Sequence, residues 1–232
     1  GAEQGEGGSL VGLQRKELYE LKDKGYLFDD AREVVAICEG KIADFFGAPY
    51  CALTDCCSHA IFLSLQYLRA VGAIEKYDEI VIPKHTYVSV PMQIIHSELH
   101  VLFIDYPWQG SYKLLPTRIR DAAVTWKRDS YNAGELMCLS FQIKKVIPTG
   151  RMGAVLTDSK EAYDWIKLAS YDGRDLNTPY DSPEHVKMIG WHYYATPEDA
   201  ARTILLMDKI TKEGDYMGSE DYPDVSLMIK DL

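Results

Sequence analysis

The sequence predicts an α/β domain whose mainly parallel central sheet is flanked by helices. Three observations predict it. Short apolar runs of strand length alternate with helical apolar periodicity between Tyr50 and Ile104, which is the pattern of strand–helix–strand units. A long amphipathic pattern comes before that alternation. A strongly signalled helix start at Thr196 comes after it.

The elements follow in order. Residues 1–14 open with a Gly/Glu-rich, apolar-poor run and read as a flexible N-terminal segment. A single α/β domain is expected over 15–214. From Leu10 to Phe46 the pattern is helical: Leu18 and Leu21 share a turn, and Ala31, Val34, Val35, Cys38, Ile42 and Phe45 recur at spacings of three and four. Gly47-Ala48-Pro49 stops it. Tyr50 to Leu53 reads as a strand, His59 to Val71 as a helix, Glu79 to Ile82 as a strand, Pro91 to His96 as a helix, and Val101 to Ile104 as a strand. Met137 to Leu139 and Gly153 to Thr157 are further short apolar segments, with a lysine-bearing loop between them. Thr196-Pro197-Glu198-Asp199 combines a capping hydroxyl, a proline in the first turn and two acids at the positive helix end. Ala200 to Ile210 continues it as an amphipathic helix. The segment 215–232 is acidic and turn-rich until Val225 and reads as a tail or a partner-docking arm.

Composition narrows the function. With 232 residues, 47% of them hydrophobic, the chain can bury a sizeable core. A net charge of −10 argues against nucleic acid as partner, because such binding rests on clustered Lys and Arg. No apolar run of about 18 residues reads as a membrane span. No signal-peptide pattern precedes the first helix, so a cytoplasmic location is expected. Cys38, Cys51, Cys56, Cys57 and Cys138 lack metal-ligand spacing, and their odd number with an adjacent pair favours reduced thiols over a disulfide framework. No metal site is expected.

Two stretches carry chemistry. In Ser140-Phe141-Gln142-Ile143-Lys144-Lys145 a lysine lies between two short strands, five residues after a serine. That suits an amine reaching a carbonyl while nearby donors hold an anionic group. Thr54-Asp55-Cys56-Cys57-Ser58-His59-Ala60 joins a strand to a helix, where free backbone N–H groups and the positive helix end can hold a phosphate. The plainer reading is that Ser58 caps a helix. The same position lowers the pKa of a thiol, which keeps open an enzyme using Cys56 or Cys57 as nucleophile.

The run Ser140 to Thr157 resembles the Schiff-base loop of the DegT/DnrJ/StrS-type sugar aminotransferases, which depend on pyridoxal phosphate. Their S-F-H-x-x-K-x-x-x-x-G-E-G-G-x-x-x-T lays onto it without a gap, so Lys145, not Lys144, is the lysine that would hold the cofactor. The resemblance implies the large domain of a PLP-transferase type I-like fold. Cys57 and Ser58 fall on the Gly and Thr of S-G-T-x-A-L, where Ser58 keeps a hydroxyl for the phosphate. Ile80-Val81-Ile82-Pro83-Lys84-His85-Thr86-Tyr87 resembles V-I-V-P-x-x-T-F/W, which gives Tyr87 the place of the aromatic stacked on the cofactor ring. Asp121-Ala122-Ala123 resembles D-A-A-Q/H, whose Asp keeps the pyridine nitrogen cationic and the ring an electron sink. Val124 stands at the Gln/His position, and Asp105, after a cleaner strand, is the second carboxylate candidate. Gly190-Trp191-His192-Tyr193-Tyr194 resembles G-F-N-Y-R, a loop that crosses a dimer interface. His192 thus replaces the Asn that meets the partner subunit's cofactor phosphate, and Tyr194 replaces the Arg.

The chain also departs from that pattern. Only Tyr106 to Arg120 connects Asp105 to Asp121, where the family inserts a helix and a strand, and the smaller C-terminal domain after Ile210 is missing. Arg151 and Met152 replace residues of G-E-G-G. The resemblance implies an aminotransferase that moves an amino group from an amino acid such as glutamate to a nucleotide-linked keto sugar, as a homodimer with shared active sites. A catalytically silent relative serving as a binding or partner subunit is the second reading, suggested by Val124 and the missing domain.

Overall fold

A computed structural model of the chain describes residues 15–230. The segment 1–14, expected to be flexible, lies outside the described residues. Within the helical stretch expected from Leu10 to Phe46, the described residues form two helices, α1 (Lys16–Asp23) and α2 (Arg32–Phe46). The break falls at Gly25, whose φ of 94° belongs to the left-handed region that favours glycine. The strands are β1 (Tyr50–Thr54), β2 (Glu79–Pro83), β3 (His100–Ile104), β4 (Tyr112–Leu114), β5 (Ile119–Asp121), β6 (Thr125–Trp126), β7 (Leu136–Ser140), β8 (Gly153–Thr157) and β9 (Gly214–Asp215). The remaining helices are α3 (Cys57–Ala70), α4 (Ser89–His96), α5 (Lys160–Ser170) and α6 (Pro197–Lys209). The expected helix start at Thr196 is present: its side chain accepts the Asp199 N–H. Among the described residues no helix is long and apolar enough to cross a membrane.

The α/β class stands, but the sheet is mixed rather than mainly parallel in its pairings. Its order is β1-β8-β7-β5-β4, with β5–β7 parallel and β1–β8, β7–β8 and β4–β5 antiparallel. β2 and β3 form a parallel pair that joins the sheet through Val81 and Leu115, whose N–H groups donate to each other's carbonyls at 2.7 and 3.0 Å. Followed across this seam, β1, β2, β3, β5 and β7 run one way, and β4 and β8 run the other. The short connection between Asp105 and Asp121 explains β4. A parallel neighbour needs a crossover of a dozen or more residues, whereas a tight turn returns the chain antiparallel.

Strand alternation divides the sheet into two buried faces. Cys51, Leu53, Met137, Leu139, Ala154 and Leu156 face a core built with α1, α2 and α6. Ala52, Leu136, Cys138 and Val155 face a second core built with α3, α4 and α5. Because both faces are covered, the strands read as continuous apolar runs rather than as alternating ones.

β1 is an edge strand, and its outward Leu53 N–H needs a partner. Glu39 of α2 supplies it: one carboxylate oxygen accepts that N–H at 2.9 Å and the Lys167 ammonium of α5 at 2.9 Å, and the other accepts Tyr163 Oη at 3.3 Å. Glu39 is buried, so removing it strands both a backbone donor and a cation. Glu39→Ala is expected to lower unfolding stability by about 3 kcal/mol in urea titration, and Glu39→Gln by roughly half as much, since the amide oxygen can still accept from Leu53.

Candidate active site

Because β1, β2, β5 and β7 run in one direction, the loops after them open on one side of the sheet, where open α/β sheets hold ligands. Cys56, in extended conformation, caps α3, its sulfur accepting the His59 N–H at 3.4 Å. Ser58 Oγ lies 2.6 Å from Ser89 Oγ, so the first turns of α3 and α4 meet with two hydroxyls between them. β8 begins directly beneath this loop. A Cβ on Gly153 would run into the Cys56 carbonyl group and the Cys57 nitrogen, which is why the strand starts with glycine. Gly153 pairs in register with Ser140, which brings that serine to the same corner.

At the end of β5, Asp121 is buried, and its neighbour in the parallel register is Cys138. One carboxylate oxygen accepts the Ala123 N–H at 3.0 Å and the other the Tyr112 hydroxyl at 2.9 Å; Tyr112 in turn contacts Thr86 Oγ1. Burial raises the pKa of Asp121, while the two hydrogen bonds and the Lys145 charge oppose the rise. Asp105 is exposed at the end of β3, so the buried carboxylate of the site is Asp121. Val124 is buried and apolar, and Tyr112 supplies the orienting hydrogen bond that it cannot.

The loop after β7 separates the two lysines. Lys144 is exposed, whereas Lys145 is half-buried and its N–H donates to the Gln142 carbonyl at 2.8 Å. Burial lowers the pKa of the Lys145 amine against the opposing fields of Cys57 and Asp121. Lys145, Asp121 and Cys57 thus lie near enough to feel one another's charge, and Gly153 brings Ser140 to the corner where Ser58 begins α3. Tyr87 stands at the rim, 58% exposed. His192 does not join them within the chain: its ring points outward and holds Asp172 at 2.7 Å and Tyr194 Oη at 3.3 Å. The next residue, Tyr193, does reach the corner, its carbonyl accepting the Asp55 N–H at 2.9 Å and its ring stacking on His59 at 3.6 Å.

Of the two candidate thiols, Cys57 loses ground here. Burial pushes the Cys57 thiol well up, with Asp121 and Cys138 adding to it, so the nucleophilic thiolate is disfavoured. Motif reading gives no role to Tyr112, Asp55, His59 or Arg151, which the structure places around the candidate site: Asp55 and His59 pair locally, while Tyr112 and Arg151 reach it from neighbours remote in sequence. Asp55, Cys56 and His59 gather possible ligand atoms within 4.8 Å of one another. Burial lowers the His59 pKa, but the 2.7 Å hydrogen bond to Asp55 and the nearby Cys56 sulfur more than offset it, leaving a pKa of about 9. The Arg151 guanidinium stands 3.8 Å from the same carboxylate.

A histidine whose folded pKa is raised stabilises most below its unfolded pKa of about 6.5, and the gain is lost as pH rises through about 9. After discounting for a half-buried, screened site, the expected loss over that window is about 1–2 kcal/mol. Melting temperature measured against pH should show it in the native chain, and His59→Gln should flatten the profile over the same window.

Comparisons with known proteins come down on one family. The model described as the DegT/DnrJ/EryC1/StrS aminotransferase family matches residues 14–131. No curated protein sequence matches the chain. A GDP-4-keto-6-deoxymannose-3-dehydratase solved with a trapped PLP-glutamate geminal diamine is 16% identical, with a TM-score of 0.64 over 86% of this chain and 66% of that one. A sugar aminotransferase from Micromonospora echinospora is 14% identical, with a TM-score of 0.65 over 84% and 63%. DesV of S. venezuelae, solved with a ketimine intermediate, is 14% identical, with a TM-score of 0.61 over 88% and 64%. The chain therefore spans just under two thirds of the length of these structures.

Proposed function

This chain belongs to the DegT/DnrJ/EryC1/StrS aminotransferase family, and we propose that it acts as a pyridoxal-phosphate-dependent aminotransferase. The reaction moves an amino group from an amino acid, glutamate, to a nucleotide-linked keto sugar. The carrying observation is the burial of Lys145 beside Asp121 while Lys144 faces solvent. The residues fit the cofactor: a buried carboxylate for a ring nitrogen, a lysine for an aldehyde, and a helix N-terminus with Ser58 and Ser140 for a phosphate. A dehydratase and a sugar aminotransferase among the similar structures support the sugar as substrate class.

When bound, pyridoxal phosphate supplies the electron sink that amino-acid side chains lack. The chain's own residues do the rest. Asp121, fixed by Tyr112 and the Ala123 N–H, would hold a cationic ring nitrogen. Cys57 and Ser58 would offer backbone N–H groups, and Ser58 a hydroxyl, to a phosphate, and Tyr87 is the aromatic available to cover a ring. Lys145 Nζ, its pKa lowered by burial, can take a proton from the substrate carbon and return it, which an ammonium cannot.

Two subunits share the site in this reading. His192 is exposed and steadied by Asp172, as a residue serving a partner would be, and Tyr180, Val186 and Ile189 leave apolar surface exposed in the preceding loop.

Borohydride reduction with pyridoxal phosphate should fix the cofactor on Lys145 in peptide mapping. Lys145→Ala should abolish the adduct, and Lys144→Ala should keep it. The reverse pattern refutes the register, and no adduct in any variant favours the silent relative. In sedimentation the protein should be a two-fold dimer, with His192→Ala weakening cofactor retention about tenfold at unchanged melting temperature. A monomer that holds the cofactor at full affinity would remove the shared site.

A further inference from the structure

The segment after α6 lies beyond the family match and is tied to the rim of the pocket along its length. β9 pairs with β6, just after Asp121. The Gly110 N–H donates to the Met217 carbonyl at 2.8 Å, the Ser219 N–H to the Trp108 carbonyl at 2.9 Å, and Gln109 Nε2 to the Asp215 carbonyl at 3.0 Å. A Cβ on Gly218 would run into the Trp108 carbonyl and the Gln109 side chain, so the segment is pressed against the shortened connector. Farther on, buried Val225 donates its N–H to the Lys84 carbonyl at 2.9 Å, and His85 Nδ1 lies 2.9 Å from the Tyr222 carbonyl oxygen. The loop holding this end carries Thr86 and Tyr87.

Between these anchors Tyr222 turns inward. Its ring stacks on Trp108 at 5.7 Å, and Trp108 packs on Tyr112 at 4.8 Å, the tyrosine that donates to Asp121. Burial raises the phenol's pKa, and the next contributors are Asp121 and Cys57, two groups of the pocket itself. The hydroxyl is therefore a neutral donor within the field of both.

We infer that residues 214–229 form a wall of the cofactor pocket and that the Tyr222 hydroxyl is a further binding group for pyridoxal phosphate. This rests on the cofactor reading above. The wall stands against the connector Tyr106 to Arg120, on the side where the family's inserted helix and strand are lacking. Closing that side keeps water from the Asp121–Lys145 pair, and their interaction is stronger for it.

Equilibrium dialysis of the full chain with pyridoxal phosphate, and with pyridoxine phosphate, which has no aldehyde for Lys145, separates the possibilities. Tyr222→Phe should weaken both ligands about three- to tenfold. Tyr222→Ala and Gly218→Val should weaken them further, and backbone amides of 217–228 should exchange more slowly in the native chain once pyridoxine phosphate is added. Equal affinity in native protein, Tyr222→Phe and Tyr222→Ala overturns the wall alone. Tighter binding by Tyr222→Ala would make the segment a plug and overturn it as well. A native chain that takes up neither ligand overturns the wall together with the cofactor reading. Tyr222→Phe keeps the ring on Trp108, so the test survives if the alanine variant fails to fold.

Discussion

Asp121 at the end of β5 and Lys145 in the loop after β7 act on each other's charge, and the surrounding structure answers to that pairing. Burial pushes each toward its neutral form, raising Asp121 and lowering Lys145, while their mutual field pulls both back. A buried pair of this kind is stable only when its remaining hydrogen-bonding capacity is met. Asp121 meets it through Tyr112 and the Ala123 N–H, and Tyr112 passes the constraint to Thr86 at the end of β2. Three strands are thereby held to a common depth at the pocket floor.

The opposite corner works by a different principle. No side chain there is buried as a charge without support: helix N-termini, the Ser58–Ser89 contact and the close approach of Gly153 arrange backbone and hydroxyl groups instead. Positive charge is added at the margin by His59 and Arg151, both tethered to Asp55. Asp121 and the Cys56–Ser58 helix start thus mark two ends of the candidate site, and Lys145 feels the charge of both Cys57 and Asp121. A ligand that is cationic on one side and anionic on the other is the species such a polarity suits.

Much of this was legible in sequence because it depends on local order. The strand–loop–helix at Thr54 to Ala60, the lysine between β7 and β8, and the capped helix at Thr196 are set by residues within a few positions of one another. Lys145 could be told from Lys144 only by register, and the structure separates them by burial. What stayed hidden depends on pairing between distant segments. The reversal of β4 follows from a short connection, yet its partner β5 and the seam to β2 are tertiary facts. Tyr112, in a short run after Gly110-Ser111, has no motif around it. α5 leaves little sequence signal although Ser159 caps it, because its apolar face is narrow: Ala162, Ile166 and Ala169 are its buried apolar residues. The acidic segment from 215 reads as a tail by composition, but its anchors are backbone groups, which composition does not report.

The departures from the family pattern are matched by partners elsewhere in the fold. Val124 cannot orient a carboxylate, and Tyr112, from the abbreviated connector, does so. Arg151 stands where the pattern has an acid, and it faces Asp55, an acid in the loop it adjoins. The connector itself, too short for a further helix and strand, is bound edge to edge by the C-terminal segment through Gln109, Gly110 and Trp108. A decaying site would lose such groups singly and leave buried polar atoms without partners, at about 1–3 kcal/mol each. Among the described residues no buried side-chain nitrogen or oxygen lacks a partner. Compensation of this kind is what a fold held to a specific shape around these residues requires.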